Sequence, residues 1–278
     1  MYMHTIVSRL LKPFPVIKSV AFVTYKEWSA YRSHMLVSLF VGPVNFLVQY
    51  FIWHAVYSTR GSINGLTLEQ MIAYFGAAAV INYIIYDSAD WNLNMLIHTG
   101  RFVTYIIRPM SHRLFAFSQK VGHRLLGVII EAAPVYLIIT FVFGVRLVPA
   151  QPLWAVLSTA LGFVMYFLIN YCIGIIGFWL VRAEGVRRMV QILNMVLRGT
   201  FIPLVFFPDA LQKVLFFLPF QYAMYVPVRV FAGSYELAGW SFTPPQIVGI
   251  QGLAVIIMFF ITELLWRLGV RRFTGVGV

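Results

Sequence analysis

Asp87 and Asp90 in the stretch YDSAD lie three residues apart, which puts both carboxylates on one face of a helix. Carboxylates so placed can hold Mg²⁺ for a diphosphate substrate, as in membrane prenyl transfer. That chemistry normally takes a second acidic cluster, and the nine acidic residues here are widely spaced. The competing reading is a helix end whose carboxylates pair with Arg101, Lys120 or Arg124. Glu131 and Arg198 are single charges inside apolar runs. A buried carboxylate is costly unless paired or protonated, so an ion pair between the two or a protonated Glu131 is expected, with a proton-relay role for Glu131 as the alternative. Other chemistry finds no footing. No Gly-Lys dipeptide exists to begin a phosphate-cradling loop, no GxSxG elbow is present, and the six histidines (His4, His34, His54, His98, His112, His123) include no HExxH. The single Cys172 excludes an internal disulfide. No catalytic residue and no resident metal are expected.

The elements that position these residues are set by hydropathy. Of the residues, 60% are hydrophobic and 11% charged, with mean hydropathy +0.82, whereas soluble domains carry about a quarter charged residues. Six segments have the roughly 20 apolar residues a helix needs to cross the hydrocarbon core: 35–57, 69–90, 121–145, 152–181, 188–208 and 246–266. Strands alternating in segments of about ten residues are not seen. The expected fold is all-α and polytopic, in one transmembrane domain over residues 1–278. The GIIG at 174–177 reads as close helix packing. No cleavable signal is expected at the start.

Placing both termini in the cytoplasm leaves only Arg60, Arg146, Lys213 and Arg229 in outer segments and Arg198 within a span, so the other sixteen of the 21 basic residues lie inside. The net charge of +12 is then explained by anionic lipid headgroups rather than nucleic acid. Residues 13–32 place Phe14, Ile17, Ala21, Tyr25, Trp28 and Tyr31 at helical intervals, an amphipathic helix in the inner interface. Residues 209–233 carry apolar pieces too short to span, broken by prolines, and read as short helices dipping back into the outer leaflet. Glu263 and Arg267, four apart, are expected to pair.

Three stretches, in this order and topology, resemble the permease subunit of a type-2 ATP-binding-cassette (ABC) transporter, within an uncharacterised bacterial exporter family. HTGRFVTYIIRPMS is similar to a segment of that family in which a glycine is followed by a leucine-arginine-proline-leucine run, with Met110 where the family favours leucine. GTFIPLVFFPDALQKVLFFLPFQYAMYVPVRVFAG resembles its proline-punctuated fifth span and re-entrant helices, and WRLGVRRFTGVGV its arginine-rich, glycine-ended tail. Arg198 departs from the apolar or small residue expected there.

The resemblance implies a chain in the bacterial cytoplasmic membrane that binds no cofactor itself. It would pair with a second permease chain, a heterodimer being favoured over a homodimer, and with ATPase subunits that bind ATP and Mg. The cargo would be an amphipathic lipid, drug-like compound or peptide, moved outward. It also implies that region 92–112 is a coupling helix docked in a groove of the ATPase. There Phe102, Tyr105 and Ile106 can form an apolar ridge beside Arg101 and Arg108, with Gly100 and Pro109 bounding the helix and His98 preceding it. Pro203, Pro208, Pro219, Tyr222, Pro227 and Gly233 would shape an outer gate. A Mg-dependent membrane enzyme using Asp87 and Asp90, and an ion-coupled transporter centred on Glu131, remain the alternatives.

Overall fold

The computed structural model describes residues 13–30, 32–59, 61–108, 110–180 and 184–273. Helix α1 (Pro13–Ala30) is followed by α2 (Arg32–Tyr57), a small hairpin of β1 (Ser62–Ile63) and β2 (Leu66–Thr67), and α3 (Leu68–Ile85). Next come α4 (Ala89–His98), the single turn α5 (Val103–Ile106) and α6 (His112–Gly127), which continues through π-helical turns on either side of α7 (Ala133–Leu137). The long α8 (Pro152–Ile175) and the shorter α9 (Glu184–Leu197) precede three short helices, α10 (Asp209–Phe217), α11 (Phe220–Ala223) and α12 (Tyr225–Phe231). A second hairpin, β3 (Tyr235–Leu237) with β4 (Trp240–Phe242), leads into α13 (Pro244–Val270). The two hairpins qualify the all-helical expectation. Each bridges the start of a long helix, whose first turn is fixed by a capping box: Thr67 with Gln70, and Thr243 with Gln246.

Among the described residues, five helical stretches are long and apolar enough to cross a membrane: Leu39–Tyr57, Leu68–His98, His112–Val142, Pro152–Phe178 and Pro244–Val270. The expected fifth span, 188–208, is not one continuous helix. The described part of α9 has 14 residues, about 21 Å at 1.5 Å per residue, short of the ~30 Å hydrocarbon core. It stops because Gly199 adopts φ +80°, a left-handed conformation that ends a helix, and only a short 3₁₀ turn at Leu204–Phe206 follows.

The bundle is built around α8. Of its most apolar 18-residue window 72% is buried, against 17% for the first span, so α8 is central and α2 peripheral. Close approach to α8 depends on missing side chains. A Cβ on Gly174 would lie 3.0 Å from the Leu93 Cβ and 3.2 Å from the Asp90 backbone, which seats α4 directly on α8, as GIIG suggested. Further along the helix, Gly162 admits the Ala223 carbonyl and the Pro227 ring. The outer faces of α2 and α13 instead present Phe40, Val44, Phe51, Leu253, Ile256 and Phe260 outward. Apolar residues outward and polar groups inward is the arrangement that lipid favours.

Candidate functional site

The connector between the second and third spans is anchored rather than free. Gly100 (φ +69°) closes α4, with the Gly100 amide donating to the Ile97 carbonyl and the Phe102 amide to the Leu96 carbonyl. Phe102 is 1% exposed and sits in an aromatic nest, with ring centroids 5.3 Å from Phe178, 5.7 Å from Trp266 and His112, and 5.2 Å from Phe273. That corrects the expected ridge: the Phe102 ring points into the protein. Tyr105 is half-buried against His112 and Phe115, with the Arg108 guanidinium over its ring. The side chains that remain exposed are Arg101, Val103, Thr104, Ile106, Ile107 and Arg108, with Ile107 80% exposed. His98 is half-buried, and Pro109 lies outside the described residues.

α6 carries the basic residues that meet two of the buried acids, Asp87 and Glu131. Lys120 Nζ lies 3.3 Å from Asp87 Oδ1 and donates to Ser88 Oγ at 2.8 Å, tying α6 to the end of the second span. Asp90 is taken by Arg187 of α9 at 2.8 Å, a partner the sequence reading did not name. The expected Glu131–Arg198 pair does not form. Glu131 sits in a π-helical turn produced where Pro134 lacks the amide a regular helix would use, and the Ala133 amide reaches back to the Val128 carbonyl. There Glu131 meets Arg124 at 3.4 Å, seven residues earlier on the same helix, and Arg124 also donates to the Tyr83 carbonyl at 2.8 Å. Glu263 pairs with Arg267 as expected (2.7 Å) and also with Arg113 (2.9 Å).

Arg198, 6% exposed, contacts Asn82 Oδ1 at 3.4 Å and stacks 4.4 Å over the Tyr166 ring. Among the described residues, its Nε and Nη1 find no hydrogen-bond acceptor and the nearby Thr200 hydroxyl finds no partner. Both residues line a cavity of about 980 Å³ bounded by α1, α2, α3, α6 and α9. That volume lies at the top of the range for small-ligand sites. Its walls combine apolar side chains such as Phe46, Phe75 and Ile192 with Asn45, Gln49 and Gln119.

The chain matches the family model described as ABC-2 family transporter protein over residues 44–277. It belongs to that family. It is therefore a multi-pass membrane subunit of an ABC transporter, a permease that works with an ATP-binding-cassette ATPase in which the ATPase activity lies. No match was found among curated proteins or solved structures.

At the other end of α8 from its Phe102 nest, this ABC-2 permease packs α10 to α12 against the bundle. Pro203, Pro208 and Pro219 each stand immediately before a helical turn, where their missing amide costs no hydrogen bond. Pro227 lies on Gly162, Tyr222 donates to the Phe216 carbonyl at 2.8 Å, and Gly233 (φ +87°) ends α12. Gln251 of α13 locks this region: its Nε2 donates to the Ser158 and Tyr222 carbonyls, and its Oε1 accepts from the Ser158 hydroxyl. The sequence alone did not single out Gln251, although an amide in the charge-free first half of a span is a readable signal. α1 docks along α6, where Gly122 meets the Ala21 backbone and the Trp28 ring packs, tilted by 39°, with its centroid 4.0 Å from that of His123.

Proposed function

We propose that this permease is the membrane half of an ATP-driven exporter in the bacterial cytoplasmic membrane, with both termini cytoplasmic. In this reading the segment from Arg101 to Arg108 is the coupling element that docks on the ATPase. The observation that carries it is the exposed Val103–Ile106–Ile107 surface, flanked by Arg101 and Arg108, on a turn pinned to the bundle through Phe102. A transmitter of force needs a sticky outer face and a rigid root, and this turn has both. Closure of the ATPases would pull the turn, and the Phe102 nest would pass the displacement to the ends of α8 and α13.

The fifth crossing would be discontinuous, α9 supplying one part and residues 198–208 the remainder, with the backbone covered by neighbouring helices. Two permease chains, preferably different ones, would enclose the path, each placing its cavity beside the exposed apolar face of α9 (Met189, Ile192, Leu193). Helices α10 to α12 would form the outer gate, and α1 would lie in the inner interface and brace the first span. The mixed cavity lining suits an amphipathic cargo. ATP and Mg would be bound by the partner ATPase. The decisive test places a cysteine at Ile107 and a crosslinker on the purified transporter. Crosslinks to the ATPase that change between nucleotide-free and ATP-trapped states support the reading, and crosslinks to none of the ATPase surface refute it.

A further inference from the structure

We propose that the α9 cavity recognises an anionic head group through Arg198, so that the amphiphile bound there carries a phosphate, sulfate or carboxylate. This rests on the permease reading for its meaning as a cargo site, but not for its chemistry. Arg198 is more than nine-tenths buried, and its contacts are a long hydrogen bond to Asn82 and the face of Tyr166, neither of which neutralises it. Among the described residues no carboxylate forms an ion pair with it: Glu131 is engaged by Arg124, and the other acid on the cavity wall, Glu27, is exposed on α1. The other cations on the wall, Lys120 and Arg124, already have Asp87 and Glu131.

An unneutralised guanidinium within a membrane protein is expensive, and it persists where it serves a ligand or lines a wet cavity. Here, among the described residues, two of its nitrogens and the Thr200 hydroxyl, two residues on, lack partners. A tetrahedral or planar oxyanion supplies the acceptors these donors lack, and a guanidinium fork matches such groups with two parallel hydrogen bonds. The rest of the wall, including Phe46, Phe75, Ile192 and Met195, would take the attached hydrocarbon.

The test uses the full transporter in phosphatidylcholine nanodiscs, without nucleotide, with radiolabelled dodecyl phosphate as probe and dodecylphosphocholine as its zwitterionic control. The wild type should bind dodecyl phosphate about tenfold more tightly. Arg198→Gln should abolish that preference while keeping the weaker control binding, and Arg198→Lys should keep part of it. Equal wild-type affinity for both probes, or an undiminished preference in Arg198→Gln, overturns the proposal. The wild-type comparison decides the matter even where a variant fails to assemble.

Adding phosphatidylglycerol to the nanodisc separates two sources of the same head-group chemistry. Displacement of the probe by that lipid identifies a bilayer lipid as the natural occupant, and persistence of the probe with release on ATP addition identifies cargo. Either outcome upholds the anion site. Arg198-dependent binding that ATP never alters leaves the site standing and counts against the exporter reading alone, so the two failures are distinguishable.

Discussion

Phe102 and Ile107 lie five residues apart on the same connector, and the structure requires them to fail in different ways. Phe102 is 1% exposed with four aromatic neighbours at 5.2–5.7 Å, so Phe102→Ala removes a fully packed ring from the junction of α4, α8 and α13. Truncations of this kind cost about 3–5 kcal/mol, part of it from edge-to-face ring contacts of about 0.5–1.5 kcal/mol each. For a chain of this size that corresponds to a fall on the order of 10 °C in the thermal midpoint. Ile107 is 80% exposed, so Ile107→Glu removes little buried area and should move the midpoint by about one degree. In the proposed docking, however, the new carboxylate would be buried against the ATPase and should abolish transport and association. The assay is paired: thermal unfolding of the purified permease by size-exclusion fluorescence, and ATPase co-purification with stimulated hydrolysis. A Phe102→Ala protein of normal thermal stability that has lost ATPase binding would refute the burial argument. An Ile107→Glu protein with full coupling would refute the docking assignment.

Three further outcomes follow from the buried polar contacts. Asp87→Asn leaves Lys120 buried without its counter-charge and should cost about 3–5 kcal/mol, whereas Asp87→Asn with Lys120→Met should recover much of that; equal unfolding midpoints for single and double variants would argue against the pair. A double-mutant cycle on Glu131 and Arg124 should return a coupling of at least about 0.5 kcal/mol, while one on Glu131 and Arg198 should return a value near zero, and the reverse pattern would restore the pairing suggested by charge alone. Gly199→Ala forces a side chain into φ +80° and within 3.0 Å of the Tyr74 hydroxyl, which already donates to the Gly199 carbonyl, so a loss of about 1–3 kcal/mol is expected; an unchanged midpoint would show that the turn relaxes freely.

The sequence revealed most where a single physical demand dominates. Uninterrupted apolar runs of membrane length located α2, α3, α8 and α13, because nothing else accounts for so many consecutive residues without charge. Side-chain destinations were harder to read. Phe102 is apolar, and hydropathy cannot say which of two apolar surroundings it enters when its neighbours Phe178, Trp266 and Phe273 lie far away in sequence. Glu131 and Arg198 are complementary charges in the third and fifth apolar runs, yet a π-helical turn offered Glu131 an arginine on its own helix. The expected fifth span is not one continuous helix because high mean hydropathy masked a helix-ending glycine directly after a charge.

That same interrupted segment holds the most informative pattern in the chain. Along α9 and just past its end, Arg187, Gln191, Asn194 and Arg198 recur at three- and four-residue spacing, one face of a helix. Their partners become poorer along the stripe. Among the described residues, Arg187 has the Asp90 carboxylate, Gln191 has the Asn170 amide oxygen, Asn194 is buried with its side-chain amide unpaired, and Arg198 keeps two unpaired donors beside the cavity. A stripe kept only for packing would be satisfied throughout or replaced by apolar residues, since unpaired buried polar groups cost about 1–3 kcal/mol each. A stripe whose unmet hydrogen-bonding capacity gathers at one end, against a cavity of about 980 Å³, fits the proposed binding of an oxyanion at that end.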